Sequence, residues 1–481
     1  MSTRTKHSQN AATSGNHKPS PILKDGPLTG SSLLGQTGLA RLAETGEIDT
    51  ILMVFPDMQG RWMGKRVTAP YFLDQAADSG VHACAYLLTA DMEMEPLPGF
   101  NLTSWSQGYQ DFHLVPDWTT ARVLPWLPKT GLVICDLNTE AGKPIEVAPR
   151  QILKRQIERL SGLGLRAKTA SELEFYLFKE TYETAQAKKF HDLATFGSYI
   201  EDYHILQGTK EEPVNRDIRN LMEPAGVPVE FSKGEWGPGQ HEINLRYADA
   251  LEMADRHTVY KHGAKEIAMS KNLCLTFMAK YDSRLAGSSF HLHSSLWDIT
   301  GKKSKFWEGQ SPTKTFRWWL GGQMALAREF ALFFAPSVNS YKRYQAGTFA
   351  PTRIAWGHDN RTCGFRIVGH GPSYRVENRI PGADANPYLA FAATIAAGIY
   401  GIEHKIEPPA ETKTNAYESK GVPEVPKSLH EAIAALEKSK VAKQALGEGV
   451  IEHYLHAARL ELAAFERTVT CWERERYFER I

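Results

Sequence analysis

The chain has 481 residues, and its 56 Lys or Arg against 55 Asp or Glu give a formal net charge of +1. This balance argues against a nucleic-acid partner, because such proteins usually carry a basic excess or stripe. Hydrophobic residues make up 42% and aromatic residues 10% of the chain, which excludes a disordered regulator. The length predicts two or three domains.

The longest nearly uncharged apolar run covers residues 390–402. A bilayer-spanning helix needs roughly 20 residues, so this run predicts a buried helix and no membrane partner. Five scattered cysteines without a CxxC pair indicate a reducing, cytoplasmic setting rather than a disulfide framework or structural zinc site. Residues 1–32 are predicted to be a disordered tail, with a weak transit peptide as the alternative.

The next stretch, residues 33–142, is predicted to be a small β-rich domain with Pro- and Gly-marked loops. Its elements in chain order are helix 33–45, strand 50–55, a turn at 57–60, and strands at 81–88 and 132–137.

From residue 143 to 481 the pattern predicts a larger α+β domain. Its clearest elements are helix 149–160, strand 166–178, helices 248–271 and 315–334, and a helix starting at Asn386-Pro387. The last start combines a capping side chain with Pro in the first turn.

Strand alternation places Glu172 and Glu174 on one face of the strand at 171–178, with Leu173 and Phe175 on the other. Two adjacent carboxylates repel each other unless a cation lies between them. A metal site is therefore one interpretation, and a solvated face of an edge strand is the other.

Three further segments place acidic, histidine or basic side chains where they could form a common site. Glu235 and Glu242 bracket a Gly/Pro loop that could bring them to one ion. Alternation aligns His291, His293 and Ser295 on one strand, although a structural histidine pair is the alternative. Alternation also aligns Arg375, Glu377 and Arg379 on one strand face. A simple ladder of salt bridges along the strand is the alternative interpretation.

Together the glutamates and histidines make an oxygen-rich set that suits Mg²⁺ or Mn²⁺, in more than one copy, better than zinc or copper. Arginines beside divalent ions are typical of phosphoryl transfer. The chain has no GxxxxGK[ST] loop, so a nucleotide would not be held by a P-loop. The candidate arginines are Arg343, Arg361, Arg366, Arg375 and Arg379.

From about residue 33 onward the chain resembles the glutamine synthetase family, type I-like, and within it the γ-glutamyl amide ligases such as γ-glutamylanilide synthetases. Six ordered segments carry the resemblance: Asp57-x-x-Gly60, Glu172-x-Glu174, Glu235 through Gly-Pro-Gly-Gln-His-Glu242, Ala286 through Ser295, Asn339 through Arg343, and Arg375-x-Glu377-x-Arg379 followed by residues 385–389.

The resemblance implies an α+β fold with a small β-grasp-like N-terminal domain and a catalytic domain built on an open, antiparallel, barrel-like sheet. It also implies a ring-stacked homo-oligomer, a dodecamer, with active sites between subunits. Glu174, Glu235 and Glu242 would hold one Mg²⁺ or Mn²⁺. The second ion would be held by Glu172, His291 and Glu377.

The substrates implied are ATP, L-glutamate and an amine. Arg343, Arg361 and Arg379, with Gly287, would bind glutamate and the transferred phosphate. Asp57 of the adjacent subunit would face the nucleophile, and Asp57, Arg343 and Arg361 would be catalytic. The ATP-binding set implied by the family is Arg366, Arg375, His293, Ser295 and Tyr247.

Four positions depart from the family pattern: Tyr281, Ala286, Pro372 and Phe349. Phe349 stands where ammonia-using members carry a flap glutamate. A phenyl ring disfavours a small cation and favours hydrocarbon. Trp62, Phe196, Tyr199 and Trp236 are candidates for further aromatic lining or for ordinary packing.

We therefore expect ligation of an organic amine to the γ-carboxylate of glutamate, through γ-glutamyl phosphate, in amine catabolism. An aromatic or other hydrophobic amine such as aniline is favoured, with a short alkylamine as a variant. Ordinary glutamine synthesis and a non-catalytic structural or sensing role are the alternatives. Tyr417 lies roughly where some members carry a nucleotide-modified tyrosine, and we expect it to be unmodified.

Overall fold

The computed structural model describes residues 33–481, so the tail predicted at residues 1–32, with its transit-peptide alternative, lies outside the described residues. Within the described part, two sheets and a set of helices form an α+β fold, as the sequence predicts.

The smaller sheet has the strand order β2-β1-β6-β4-β3, and β5 pairs with β6. The pair β1–β6 is parallel and the other pairs are antiparallel. The strands are β1 Thr50–Pro56, β2 Trp62–Thr68, β3 Val81–Cys84, β4 Asp111–Pro116, β5 Arg122–Val123 and β6 Thr130–Asn138.

The larger sheet runs β15-β16-β17-β12-β7-β9-β8, with β10 and β11 also pairing with β7. Its pairs are antiparallel except β15–β16. The strands are β7 Leu165–Phe178, β8 Val229–Gly234, β9 Gln240–Leu245, β10 Ala248–Asp249, β11 Cys274–Thr276, β12 Phe290–Asp298, β15 Trp356–His358, β16 Phe365–Val368 and β17 Arg375–Asn378, with a separate hairpin of β13 Trp307–Glu308 and β14 Ser311–Pro312.

Helices cover the sheets and fill the C-terminal third of the chain. They are α1 Gly35–Glu44, α2 Ala69–Tyr71, α3 Ala77–Ser79, α4 Pro149–Gly162, α5 Tyr182–Ala187, α6 Ile205–Gly208, α7 Glu212–Met222, α8 Ala250–Ser270, α9 Lys314–Leu326, α10 Ala331–Phe334, α11 Pro387–Glu403, α12 Leu429–Lys438, α13 Lys440–Leu446, α14 Glu448–Glu466 and α15 Cys471–Tyr477. Among residues 33–481, no helix has both the length and the apolar composition needed to cross a membrane.

Strand β1 shows how the two parts of the fold share a core. Ile51 and Met53 pack into a cluster with α1, whereas Leu52 and Val54 join the main core of the larger part. This is the two-residue alternation of a strand buried on both faces. The described residues belong to one compact unit, so the domain boundary predicted between residues 142 and 143 stays a prediction.

Helix α11 is the buried helix predicted from the apolar run, and it begins where Asn386-Pro387 indicates. The Asn386 side chain accepts a 3.1 Å hydrogen bond from the backbone N–H of Tyr388, which is a helix N-cap. Along the helix, a Cβ placed on Gly398 would lie 2.1 Å from the Trp319 ring of α9. Glycine is therefore what permits this close helix contact.

Two element predictions are wrong in part. The predicted strand at 81–88 ends at Cys84 and continues as the 3₁₀ helix Ala85–Leu88. The predicted helix at 315–334 is split into α9 and α10: α9 ends at Leu326, and Phe330, with φ −94° and ψ 6°, lies just before α10. Burial continues past the break, where Leu332, Phe333 and Phe334 are all buried.

Candidate active site

Three neighbouring strands bring the predicted glutamates and histidines together. In the sheet register, Glu174 lies opposite Glu242 and Glu172 lies opposite His291. Strand β7 carries both Glu172 and Glu174 and lies inside the sheet, between β9 and β12. The alternative of a solvated edge strand is therefore wrong.

The first carboxylate cluster consists of Glu174, Glu235 and Glu242. One oxygen from each lies within 4.8 Å of the others. Glu174 Oε2 accepts hydrogen bonds from the Ser289 N–H at 2.8 Å and from Gln240 Nε2 at 3.2 Å. These donors orient the carboxylate, and Glu235 is additionally paired with Lys233.

The electrostatics of this first cluster indicate a cation site. Burial, followed by the charge of Glu235, raises the pKa of Glu174 to about 8. Burial and the charges of Glu172 and Glu235 hold the pKa of Glu242 well above its usual range. The two buried carboxylates, Glu174 and Glu242, favour protonation when no cation lies beside them, and an all-oxygen set suits Mg²⁺ or Mn²⁺.

The second cluster joins Glu172, His291 and Glu377. His291 Nδ1 lies 2.8 Å from Glu172 Oε1 and 3.9 Å from Glu377 Oε1. Glu242 is also close, since ligand atoms of Glu172, Glu242 and His291 lie within 4.8 Å of one another. Burial favours the neutral form of Glu377, but Arg379 and His291 outweigh it and lower its pKa to about 2.

The basic residues of β17 do not form the simple salt-bridge ladder that was the alternative to a site. Glu377 pairs with Arg379 and, at 2.9 Å, with Arg366 Nη1 of the neighbouring strand. Arg375 instead donates through Nε to His293 Nδ1 at 3.2 Å. His293 Nε2 in turn lies 3.2 Å from Glu172 Oε2, which links Arg375 to the second cluster.

Both clusters open into one cavity of about 880 Å³. Three predicted arginines line it together with Gly287: Arg361, Arg366 and Arg379. Arg361 is the most accessible of the three, with 49% of its side chain exposed. Positive groups and clustered carboxylates thus line the same space, which is large enough for a nucleotide or an amino acid.

Several predicted residues lie outside this cavity wall. Arg343 is buried behind Gly287 and donates through Nη2 to the carbonyls of Arg379 and Pro381, at 2.8 and 2.9 Å. Ser295 accepts a hydrogen bond from the Trp297 indole, and Tyr247 is exposed near the Lys168 ammonium.

Asp57 is not brought to the clusters within one chain. Its carboxylate is buried and accepts hydrogen bonds from Arg61 Nε at 2.6 Å and from the backbone N–H groups of Gln59 and Arg61. Burial raises its pKa, against the opposing effect of Arg61. Asn386 binds the Asp57 carbonyl, so this turn is fixed to the start of α11.

Phe349 lies at the cavity mouth in the left-handed backbone region, with φ +58° and about half of its surface exposed. Its ring meets the Trp236 ring edge-on, with centroids 6.0 Å apart. Two hydrogen bonds hold the backbone at this position: Arg379 donates to the Phe349 carbonyl, and the Tyr417 hydroxyl donates to the Ala350 carbonyl.

Of the other predicted aromatic residues, Trp62 stacks on His262, Phe196 packs against the main core and Tyr199 is exposed at the surface. Three apolar residues that line the cavity were not predicted: Tyr203, Ile205 and Phe231. Tyr203 lies in a turn and Ile205 begins the four-residue helix α6, so neither belongs to a segment long enough for periodicity to give a signal.

Clustered buried carboxylates together with arginines are typical of metal-dependent enzymes that handle phosphate. Residues 146–477 match the family model for the glutamine synthetase catalytic domain. The chain is 48% identical to the gamma-glutamylethanolamide synthetase of Streptomyces coelicolor, covering 93% of this chain and 96% of that protein. It is 37% identical to a glutamate–isopropylamine ligase of Pseudomonas, covering 91% and 96%.

Solved structures agree with the sequence relatives. A GmaS–ADP complex superposes with a TM-score of 0.80 at 30% identity, covering 92% of this chain and 99% of that one. The chain therefore belongs to the glutamine synthetase family, and it is an ATP-dependent carbon–nitrogen ligase. The family uses ATP and divalent metal ions, and the two clusters provide candidate ligands for the ions.

Proposed function

We propose that this enzyme joins a primary organic amine, rather than ammonium, to the γ-carboxylate of L-glutamate. The observation that carries the proposal is the Phe349–Trp236 edge contact at the cavity mouth. Two aromatic rings present apolar surface where ammonium would need a carboxylate. The names of two relatives, an ethanolamide synthetase and an isopropylamine ligase, support an organic amine.

In the proposed reaction, ATP phosphorylates the γ-carboxylate of glutamate, and the amine displaces phosphate from the acyl phosphate. Glu174, Glu235 and Glu242 would hold one divalent ion, and Glu172, His291 and Glu377 the second. The ions would supply charge stabilisation for the transferring phosphoryl group. The first assignment is supported by the convergence of its three carboxylates, and the second by the proximity of His291 to Glu172 and Glu377.

The proposed roles of the basic residues follow their positions. Arg361, Arg366 and Arg379 line the cavity and would bind the glutamate carboxylate and phosphate groups. Arg343, buried behind Gly287, would act by positioning the Arg379–Pro381 backbone rather than by touching substrate. Arg375 and His293, which contact each other, would complete the nucleotide side with Ser295 and Tyr247.

The finer proposal concerns the amine. An aromatic amine such as aniline is largely neutral at pH 7 and needs no carboxylate to remove a proton before attack. An alkylamine is protonated and requires an acceptor, for which Asp57 of an adjacent subunit is our candidate. The apolar residues at the mouth favour a hydrophobic body on either kind of amine: Tyr203, Ile205, Phe231, Trp236 and Phe349.

We also propose a ring-stacked homo-oligomer, a dodecamer, that works in the cytoplasm. Within one chain, Asp57 lies away from the metal clusters, at the turn fixed to α11. A site completed by the Asp57 turn of a neighbouring subunit would bring this carboxylate to the incoming amine. Analytical ultracentrifugation of the purified chain tests the assembly.

The substrate test measures phosphate release with L-glutamate, ATP, Mg²⁺ and one amine at a time. The panel contains aniline, isopropylamine, ethanolamine and ammonium, with an amine-free control. We expect turnover with at least one organic amine and a much lower kcat/KM for ammonium. Efficient turnover with ammonium alone would establish ordinary glutamine synthesis. Metal-dependent stabilisation without any ATP turnover would indicate a non-catalytic protein.

A further inference from the structure

A third group of potential ligands is buried apart from the two catalytic clusters. Glu201, Glu211 and His241 are 2%, 0% and 1% exposed, and one ligand atom from each lies within 4.8 Å of the others. His241 precedes Glu242 on β9, so strand alternation directs its side chain to the opposite face of the sheet. The group is therefore distinct from the catalytic carboxylates, although His241 also borders the same cavity.

The polar atoms of this group are poorly satisfied by the surrounding protein. The two carboxyl groups lie against each other, and the Gly239 N–H approaches Glu201, but none of the four carboxylate oxygens makes a well-formed hydrogen bond. His241 Nε2 is buried and unpaired, and it points at the carboxylates, 3.6 Å from Glu211 Oε2 and 3.9 Å from Glu201 Oε2. Such an arrangement at one buried point is costly unless something binds between these atoms.

The spacing suits an ion better than direct hydrogen bonds. Both histidine–carboxylate distances exceed the usual hydrogen-bond range. Ligand atoms around a tetrahedral ion, with bonds of roughly 2.0–2.1 Å, lie about 3.4 Å apart. The distances of 3.6 and 3.9 Å need only a small inward movement to reach that value.

Asn215 of α7 is placed to orient the His241 ring as a metal ligand. Its amide nitrogen lies 3.1 Å from His241 Nδ1, while its Oδ1 is buried and unpaired. Turning the amide by half a rotation lets Oδ1 accept a hydrogen bond from Nδ1–H. The lone pair of Nε2 then faces the two carboxylates, as in metal sites whose ligand histidine is oriented by a second residue.

Two glycines make the room that the carboxylates occupy. A Cβ on Gly197 would lie 2.2 Å from Glu201 Oε1 and 3.0 Å from Glu211 Oε1. A Cβ on Gly234 would lie 2.6 Å from the Glu201 Cβ. The backbone thus approaches the carboxylates closely from both sides, and side chains there would displace them.

We propose that Glu201, Glu211 and His241 bind a divalent transition-metal ion, of the Zn²⁺ or Mn²⁺ kind, in a structural site. One imidazole nitrogen and two carboxylates form a mixed set that selects such ions over Mg²⁺ or Ca²⁺. The two carboxylates neutralise a divalent charge. His241 and Asn215 also border the catalytic cavity, which provides an entry path.

The site would fix one wall of the catalytic cavity. Residues Asp202, Tyr203 and Ile205 line that cavity, and they lie in the segment between Glu201 and Glu211. An ion joining Glu201 and Glu211 to His241 anchors both ends of this segment to β9. Its role is structural and does not depend on which amine the enzyme uses.

The test uses the full chain in a Glu172→Gln/Glu174→Gln background, which removes one carboxylate from each catalytic cluster. The protein is stripped with a chelator, incubated with Zn²⁺ and excess Mg²⁺, passed through gel filtration and analysed by inductively coupled plasma mass spectrometry. We expect about one Zn²⁺ per chain in this background. Adding Glu201→Gln and Glu211→Gln should lower retention at least tenfold. The control Glu212→Gln, one residue along the chain, should retain the ion.

A second measurement needs no change at the proposed site and so does not depend on the Glu201/Glu211 variant folding. Zinc-edge X-ray absorption of the background protein should show one imidazole ligand and oxygen ligands. Three results would each overturn the proposal: no retained Zn²⁺ in the background protein, Zn²⁺ retention unchanged by the double substitution, or a spectrum with oxygen ligands only. The first of these results would mean that the two carboxyl groups share a proton instead.

Discussion

Phe349 is the residue on which substrate choice depends in this account. Its ring is half-exposed at the cavity mouth and touches Trp236, and its backbone is held by Arg379. The ring therefore occupies a defined place, so a substitution there changes the chemistry of the mouth without removing packing from the core.

Replacing Phe349 with Glu should raise kcat/KM for ammonium and lower it for a hydrophobic amine. A carboxylate attracts a cation and accepts its proton, whereas the phenyl ring excludes both. Steady-state kinetics with both nucleophiles would show the selectivity ratio shifting by roughly tenfold or more, equivalent to about 1.4 kcal/mol. The control is Phe190→Glu, a half-exposed phenylalanine with φ +60° that does not line the cavity. An unchanged ratio in Phe349→Glu would remove the role assigned to this residue.

The raised pKa of Glu174, about 8, predicts how metal binding depends on pH. A protonated carboxyl group cannot bind the ion, so apparent Mg²⁺ or Mn²⁺ affinity should rise between pH 6 and pH 8, by up to roughly tenfold per pH unit for one released proton. Without metal, the free energy of unfolding should instead fall as pH rises toward 8. The raised pKa means that protonated Glu174 favours the folded state, and this contribution is lost as the proton leaves.

Thermal unfolding at pH 6 and pH 8, with and without metal, measures both effects. The increase in Tm caused by metal should be larger at pH 8. Glu174→Gln, which has no proton to lose, should reduce that difference. An equal increase at the two pH values in the unsubstituted protein would contradict the assignment.

At the residue scale, the sequence was most informative where strand periodicity applies. Alternation alone predicts that Glu172 and Glu174 share a face, and the register with β9 and β12 confirms that they do. It could not predict that Glu201 and Glu211, which lie outside any strand, would meet His241. It also could not place Arg343, whose burial depends on the path of the Arg379–Pro381 backbone.

At the scale of elements, close packing between α9 and α11 is the feature that the sequence shows least clearly. Gly398 lies against Trp319 with no room for a side chain, although a glycine in a helix ordinarily signals only local weakness. Long-range contact, not local propensity, explains this glycine. The break between α9 and α10 is likewise not visible in the local pattern, because buried apolar residues continue on both sides of it.

Gly398→Ala should therefore destabilise the protein by about 1–3 kcal/mol, because the new methyl group overlaps the Trp319 ring. The matched control is Gly449→Ala in α14, where a Cβ meets no atom within 4 Å. That change should stabilise the helix by about 0.5–1 kcal/mol. Chemical denaturation of both variants checks the pair. A stabilising Gly398→Ala would show that the two helices can separate at little cost.

At the scale of the whole molecule, the fold brings segments that are far apart in the sequence to one cavity. The residues that line the cavity come from positions 172 to 379 of the chain, and the larger sheet joins four of the site strands in the order β16-β17-β12-β7. The α+β class and most elements could be predicted from local patterns. The strand order could not, since pairs such as the parallel β1–β6 join residues about 80 positions apart.

The central claim is that this member of the glutamine synthetase family uses an organic amine in preference to ammonium. The most direct measurement is a competition in one tube, with L-glutamate, ATP, Mg²⁺ and equal concentrations of ammonium and an organic amine from the panel. Mass spectrometry then gives the ratio of the γ-glutamyl amide to glutamine. We expect the γ-glutamyl amide of at least one organic amine to exceed glutamine by roughly tenfold or more, equivalent to about 1.4 kcal/mol. Glutamine as the main product with every amine would contradict it.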